Sequence, residues 1–196
     1  MTTLATYNKK RNFKNTKEPV GKKHAKTGSR FVVQRHMASH LHYDFRLELG
    51  GVLKSWAVPK GPSLNPAQKR LAVMVEDHPV SYITFKGKIP EGNYGAGTVQ
   101  VWDNGTFVPI NAKHEPIGEK EALAGIKKGE LKFSLKGKKL NGEFVLVKLK
   151  NDDKSWLLIK HKDDHAVNVI YDAESEVDKI IPKKTVASIR HGRAKK

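Results

Sequence analysis

The sequence contains no cysteine, which excludes a disulfide framework, a thiolate nucleophile and any Cys-ligated zinc. Acids are scarce, with 20 Asp and Glu against 37 Lys and Arg, for a formal net charge of +17. Such an excess is beyond what solubility asks for and points to a polyanionic partner, nucleic acid first. A lysine-rich source proteome is the plainer alternative. No stretch approaches the roughly 20 apolar residues of a membrane span. LATYNKKRNFKN, near the N-terminus, lacks the apolar run of a signal peptide. These absences set the expectation of a soluble, cytoplasmic, nucleoid-associated protein with no membrane partner. Helical periodicity is scarce as well. Glu119 to Lys128 is the best helix candidate, ended by Gly129 as a C′ glycine.

What is present is a succession of short β patterns separated by Gly, Pro and Asn turns. The 196 residues suffice for one sizeable domain with appendages. Residues 1–30 read as a basic, partly flexible arm, 31–161 as a β domain and 162–196 as a basic C-terminal extension. Phe31 to Val58 reads as two strands joined at Gly50 and Gly51. The loop PKGPSLNP follows, then a strand from Arg70 to Glu76 and a short apolar run from Tyr82 to Phe85. A β pattern from Thr98 to Trp102 is closed by an expected turn at Asp103, Asn104 and Gly105. Strands are expected at Glu130 to Leu135, Gly142 to Leu149 and Ser155 to His161. The expected fold class is therefore mainly β, an antiparallel barrel or sandwich with a few short flanking helices.

FVVQRHMASHLHYDFRLE, from Phe31 to Glu48, carries the chemistry. Alternation along a strand puts His40, His42, Asp44 and Arg46 on one face and Tyr43, Phe45 and Leu47 on the other. Imidazole plus carboxylate is a common ligand set for divalent transition metals. His36 lies six residues before His42, an even offset that shares the face on an unbroken strand, or that a short bend brings near. Three ligands with open positions form a catalytic rather than a structural arrangement. Arg46 adds a planar fork suited to a phosphate. The plainer alternative for any one of these side chains is a solvated outer strand face. Beyond this segment, His78 precedes Pro79 at a strand end, and is either a phosphate contact, general acid or extra ligand, or a turn histidine bonded to backbone. Lys60 and Arg70 flank the proline loop and could clamp a phosphodiester or remain solvated. GNYGAG at 92–97 precedes a strand rather than opening a helix, so it reads as a turn and not as a dinucleotide or P-loop site.

RHMASHLHYDFRLELGGVLKSWAVPKGPS, with KRLAVMVEDHPVSYITFKGKIPEGNYGAGTVQVWDNG, resembles the 3′-phosphoesterase domain of bacterial DNA ligase D and its stand-alone relatives. The resemblance runs from about Arg11 to His161 in long, ordered blocks. It implies a β-barrel of about eight strands with an active site in an outer groove. It also implies a manganese-dependent enzyme, with Co2+ or Zn2+ as other ions the site would take. Such an enzyme removes a 3′-terminal ribonucleoside to leave a 3′-phosphate, and then that phosphate to leave a 3′-OH. By the same resemblance His36, His42 and Asp44 are the metal ligands. Gln34, Arg46, Lys60, Arg70, His78 and Tyr82 belong to the scissile phosphate or its surroundings, with Arg46 and His78 as its strongest contacts; the negative charge that phosphoryl transfer builds adds the expectation of a protonated His78. Arg11 and Glu18 of the arm join the catalytic set, and His40 is a bystander.

One departure stands out. The family reads Arg-Asp-Phe where this chain has Arg11, Asn12 and Phe13. Asn12 cannot act as a carboxylate, so the nuclease step is weakened if that aspartate takes part, whereas Asn suffices if it only fixes the arm. The nucleophile of the phosphatase step stays open between a metal-held water and a phosphohistidine. The expected partners are DNA 3′ ends, as primer-templates bearing a 3′ ribonucleotide or 3′-phosphate, and an end-joining ligase or polymerase acting in trans on a stand-alone chain. Two other classes remain: a non-catalytic basic DNA-binding module, and a hydrolase of small phosphoesters that would leave the +17 charge unexplained.

Overall fold

Alternation in LHYDFRLEL decides the architecture. Tyr43, Phe45, Leu47 and Leu49 point inward and are buried, while His42, Asp44, Arg46 and Glu48 take the outer face. The same pleat recurs around a ring. A computed structural model describes residues 3–25, 28–150 and 152–179. Its strands are β1 (Arg30–Met37), β2 (Leu41–Leu49), β3 (Val52–Val58), β4 (Arg70–Met74), β5 (Gly87–Ile89), β6 (Gly97–Ile110), β7 (Glu130–Gly137), β8 (Asn141–Lys148) and β9 (Ser155–Lys160). All pairings are antiparallel, in the order β1-β2-β3-β4-β9-β8-β7-β6, and β6 pairs back onto β1. This closes the eight-stranded barrel implied by the resemblance. Strand β5 is a short addition beside the start of β6.

The barrel is filled by aromatic side chains. Phe133 stacks between Phe45 and Phe144, with centroids 5.7 and 6.2 Å away, and Trp56 meets Trp156 edge-on at 5.9 Å. Helix α2 (Glu119–Lys128) follows the expected bounds and covers the wall with Ala122 and Ile126. Its chain is turned out by Gly129 at φ +97°. A shorter helix, α1 (Leu4–Lys9), lies in the arm and buries Tyr7. At one end of the barrel, Tyr43 and Trp102 meet a 3-10 turn, Ala173–Lys179, whose Ala173 and Val177 join the core. Trp102 Nε1 donates to Ala173 O at 3.0 Å. Arg35 donates to both oxygens of Glu174 at 2.8 Å, and the Tyr43 hydroxyl donates to the same carboxylate. The tail Ile181 to Lys196 lies outside the described residues.

Two local expectations change. Phe31 to Val58 forms three strands rather than two, because a turn at Ala38–His40 reverses the chain and sets His36 opposite His42. The apolar run at Tyr82 to Phe85 begins within a 3-10 turn, Val80–Thr84, which holds Tyr82. No turn forms at Asp103 to Gly105, and β6 runs straight through. The reason is a bulge at Trp102. Val33 pairs with Asp103 but Gln34 with Val101, so one extra residue is absorbed within the strand. Gly105 serves close approach, since a Cβ there would lie 2.0 Å from Lys136 O of β7. Asp103 is buried and its carboxylate accepts the backbone N–H groups of Asn104, Lys138, Lys139 and Leu140 at 2.8–3.2 Å. It thereby holds the β7–β8 turn.

Asp103→Ala strands several of those donors. It should lower stability by about 2–4 kcal/mol, read from the urea midpoint by tryptophan fluorescence. A loss below about 1 kcal/mol would show that water replaces the carboxylate.

Candidate metal and phosphate site

Cross-strand register assembles the site on the outer face of β1 and β2. His36 faces His42, Gln34 faces Asp44 and Val32 faces Arg46. The two imidazole centroids are 4.7 Å apart. His36 Nδ1 lies 3.6 Å from Asp44 Oδ2 and His42 Nε2 lies 3.8 Å from Asp44 Oδ1. Ligand atoms of the three residues all fall within 4.8 Å of one another, the one such group among the described residues.

The other ring nitrogens fix the proton positions. His36 Nε2 is 3.0 Å from Gly95 O, and His42 Nδ1 is 2.9 Å from His40 O. A carbonyl can only accept, so each of these nitrogens bears a proton, and the opposite nitrogen of each ring faces Asp44. Two imidazole nitrogens and one carboxylate, gathered this closely, fit a divalent transition metal and leave positions for water or substrate. Burial works against the charge of Asp44, but the Arg46 guanidinium, together with His36 and His42, holds its carboxyl well below the usual range. The carboxylate is therefore ionised and ready to ligate.

Arg46 is 2% exposed and enclosed on three sides, two of which offer an acceptor. Its Nε donates to Gln34 Oε1 at 2.8 Å, Nη2 donates to Asp44 Oδ2 at 2.9 Å, and Nη1 lies 3.0 Å from His78 Nδ1. His78 Nδ1 is also 2.9 Å from Glu76 O, and its Nε2 is 3.2 Å from Arg11 Nη2. The ring is buried between Tyr7 and Tyr82, with centroids 4.9 and 4.8 Å away. Burial, then Arg46 and Arg11, push its pKa well below the ordinary histidine value. The expectation of a protonated His78 is thus corrected: two guanidiniums flank the ring, and it is neutral. A proton on Nδ1 satisfies Glu76 O and lets Nε2 accept from Arg11. Arg46 Nη1 then keeps donors in reserve for an anion.

The N-terminal arm forms the far wall. Arg11 donates from Nε to Glu18 Oε1 at 2.9 Å and from Nη1 to Glu76 Oε1 at 3.1 Å, and its Cζ lies 3.7 Å from the Tyr7 ring centroid. Glu18 is buried and also accepts from the Tyr82 hydroxyl at 3.1 Å. Burial pushes the Tyr82 phenol well above its ordinary value, so it stays a donor. The resulting pocket, of about 270 Å³, is lined by Arg11, His36, His42, Asp44, Arg46 and His78, among others. A larger hollow of about 690 Å³ beside α2 contains none of these groups.

Of the residues named from sequence, Gln34, His36, His42, Asp44, Arg46, His78, Tyr82, Arg11 and Glu18 come together here. Lys60 and Arg70 do not. They line a separate depression with Tyr171 and Asp172, where Arg70 Nη2 donates to Tyr171 O at 2.7 Å. Their strand ends lie at the rim of the barrel, beside the chain leading into the Ala173–Lys179 turn. His40 is exposed in the 38–40 turn and contributes its carbonyl. Asn12 is exposed and accepts from Lys14 N at 3.2 Å. Sequence reasoning missed Glu76, Tyr94 and Gly95. Glu76 stood two residues before His78, and the other two lay in the Gly-rich stretch read as a turn.

Known proteins resemble this chain over most of its length. A family model described as the DNA Ligase D 3'-phosphoesterase domain matches residues 34–148. The chain is 48% identical over 198 residues to the multifunctional non-homologous end joining protein LigD of Pseudomonas aeruginosa, covering 97% of this chain and 22% of that protein. It is 42% identical over 162 residues to the LigD protein of Mycolicibacterium smegmatis, covering 82% of this chain and 21% of the relative. The corresponding figures for the LigD protein of Mycobacterium tuberculosis are 39% identity over 168 residues, with 84% and 21% covered. The chain thus spans about a fifth of the length of these relatives. With the family match running from within β1 to the end of β8, and through His36, His42, Asp44, Arg46 and His78, the chain belongs to the DNA ligase D 3′-phosphoesterase domain family.

Proposed function

We propose that the chain is a metal-dependent phosphoesterase that heals DNA 3′ ends during end joining. It removes a terminal 3′ ribonucleoside to leave a 3′-phosphate and then removes the phosphate to leave a 3′-OH. The observation that carries this reading is the convergence of three metal-competent ligands with two buried guanidiniums in one pocket. Mn2+ held by His36, His42 and Asp44 would act as a Lewis acid on a phosphate oxygen. Arg46 supplies fixed positive charge where phosphoryl transfer builds negative charge, and Gln34 and Asp44 prevent its fork from turning away. Arg11, anchored to Glu18 and Glu76, adds a second positive charge next to His78. Neutral His78 spaces the two guanidiniums. The Tyr82 hydroxyl keeps Glu18 oriented toward Arg11, which gives both residues a positioning role.

A net charge of +17 supports a DNA substrate over a small phosphoester. The names of the relatives speak of non-homologous end joining, which supports an end-joining ligase or polymerase as partner. No described helix is long and apolar enough to cross a membrane. Asn12 bonds only within its own turn, which favours an arm-fixing role at that position over a chemical one.

Asp44→Ala should reduce metal-dependent turnover of a 5′-labelled primer-template ending in one ribonucleotide by at least about 100-fold, while circular dichroism shows the barrel intact. Wild-type turnover in that variant would refute the ligand assignment. Affinity for the same duplex should fall roughly 10- to 100-fold between 50 and 200 mM salt, and chelation should stop turnover without releasing the DNA. Salt-dependent binding with no turnover in Mn2+ would favour the non-catalytic DNA-binding module.

A further inference from the structure

The stretch from Pro90 to Ala96 between β5 and β6 is a turn, as the sequence suggested, with Gly92 at φ +81° and Gly95 at φ +78°. It lifts Tyr94 to the mouth of the pocket that holds His36, His42, Asp44 and Arg46. Tyr94 is 49% exposed. A lone exposed aromatic needs no explanation by itself; what distinguishes this one is how it is held. Lys10 Nζ lies 4.3 Å from the ring centroid and donates to the phenol oxygen at 3.0 Å. Arg11 Cζ lies 5.6 Å from the same centroid. The next residue, Gly95, accepts the Nε2 proton of His36 at 3.0 Å. The ring is thus tethered through one peptide to a metal-competent ligand, cations of the arm approach it, and half its surface stays open.

We propose that Tyr94 is the platform on which a nucleobase of the DNA 3′ end stacks while the neighbouring phosphate lies at His36, His42, Asp44 and Arg46. This rests on the phosphoesterase reading above and gives the site a reason to prefer a nucleic-acid end over a bare phosphate. Every base has a π face, and arm cations near the ring add to its binding of a base joined to phosphate. The platform therefore selects ends with little regard to sequence. Two bases can occupy it, that of the leaving ribonucleoside or that of the nucleotide bearing the 3′-phosphate.

The test compares the full wild-type chain with Tyr94→Ala, Tyr94→Trp and Lys10→Ala on primer-templates ending in a ribonucleotide or in a 3′-phosphate. Each substrate is also made abasic at the terminal or the phosphate-bearing nucleotide. Tyr94→Ala should raise KM roughly 5- to 150-fold on base-bearing ends, with a smaller change in kcat, and Tyr94→Trp should restore it. The abasic position that erases the penalty identifies the stacked base. A second readout needs no turnover: 2-aminopurine at that position should be quenched on binding to the wild type and not to Tyr94→Ala. An unchanged KM, a penalty equal on abasic and base-bearing ends, or quenching that survives in Tyr94→Ala would overturn the platform. An equal penalty reproduced by Lys10→Ala would assign Tyr94 to holding the arm. Absence of turnover on every end would instead overturn the phosphoesterase reading, with the quenching experiment still deciding the platform.

Discussion

Arg46 is the constraint around which the site is built. A guanidinium this deeply buried is tolerated only when its charge is opposed and its donors are met. Asp44 opposes the charge from two residues away on the same strand face, and Gln34 accepts from the neighbouring strand. The same contact that stabilises Arg46 keeps Asp44 ionised, so solving the burial problem of one residue prepares the other for a metal. His78 completes the enclosure, and because it meets guanidiniums on two sides it contributes a neutral ring.

The barrel makes this affordable. Inner faces of β2, β3, β7, β8 and β9 carry Phe45, Trp56, Phe133, Phe144 and Trp156, whose packing is independent of the outer polar groups. Each strand thus does two jobs without compromise, since successive residues never compete for the same space. The arm and the 76–85 segment then cover the outer face, turning a strand surface into a pocket with its own small apolar cluster of Tyr7, Leu53 and Tyr82.

Much of this was written into local pattern. Strict alternation around Asp44 and Arg46 identified which side chains share a face, and the regular spacing of short strands indicated the fold class. His36 was legible only as two alternatives, and register across the 38–40 turn chose the bend. Asp103, Asn104 and Gly105 carry strong turn chemistry, yet β6 continues because a bulge and the approach of β7 outweigh it. Both are decided by a neighbouring strand that periodicity cannot see. Lys60 and Arg70 stand near the site in sequence, but at a barrel end that faces the 171–174 segment. The stretch from Tyr171 to Val177 is sparsely apolar, and its packing is disclosed by the enclosed Ala173 and Val177 with Tyr171 against the core. The protonation of His78 was misjudged because the charge around a histidine depends on residues from 67 and 32 positions away.

Closure of the sheet has a consequence for company. Pairing of β1 with β6 removes the free edges that an open sheet would offer to a second chain. Among the described residues, what remains outermost is β5, three residues long, with Gly87 and Lys88 at its start. Copies brought close together would therefore be poor templates for strand addition to one another, and crowding would not by itself lead to aggregation.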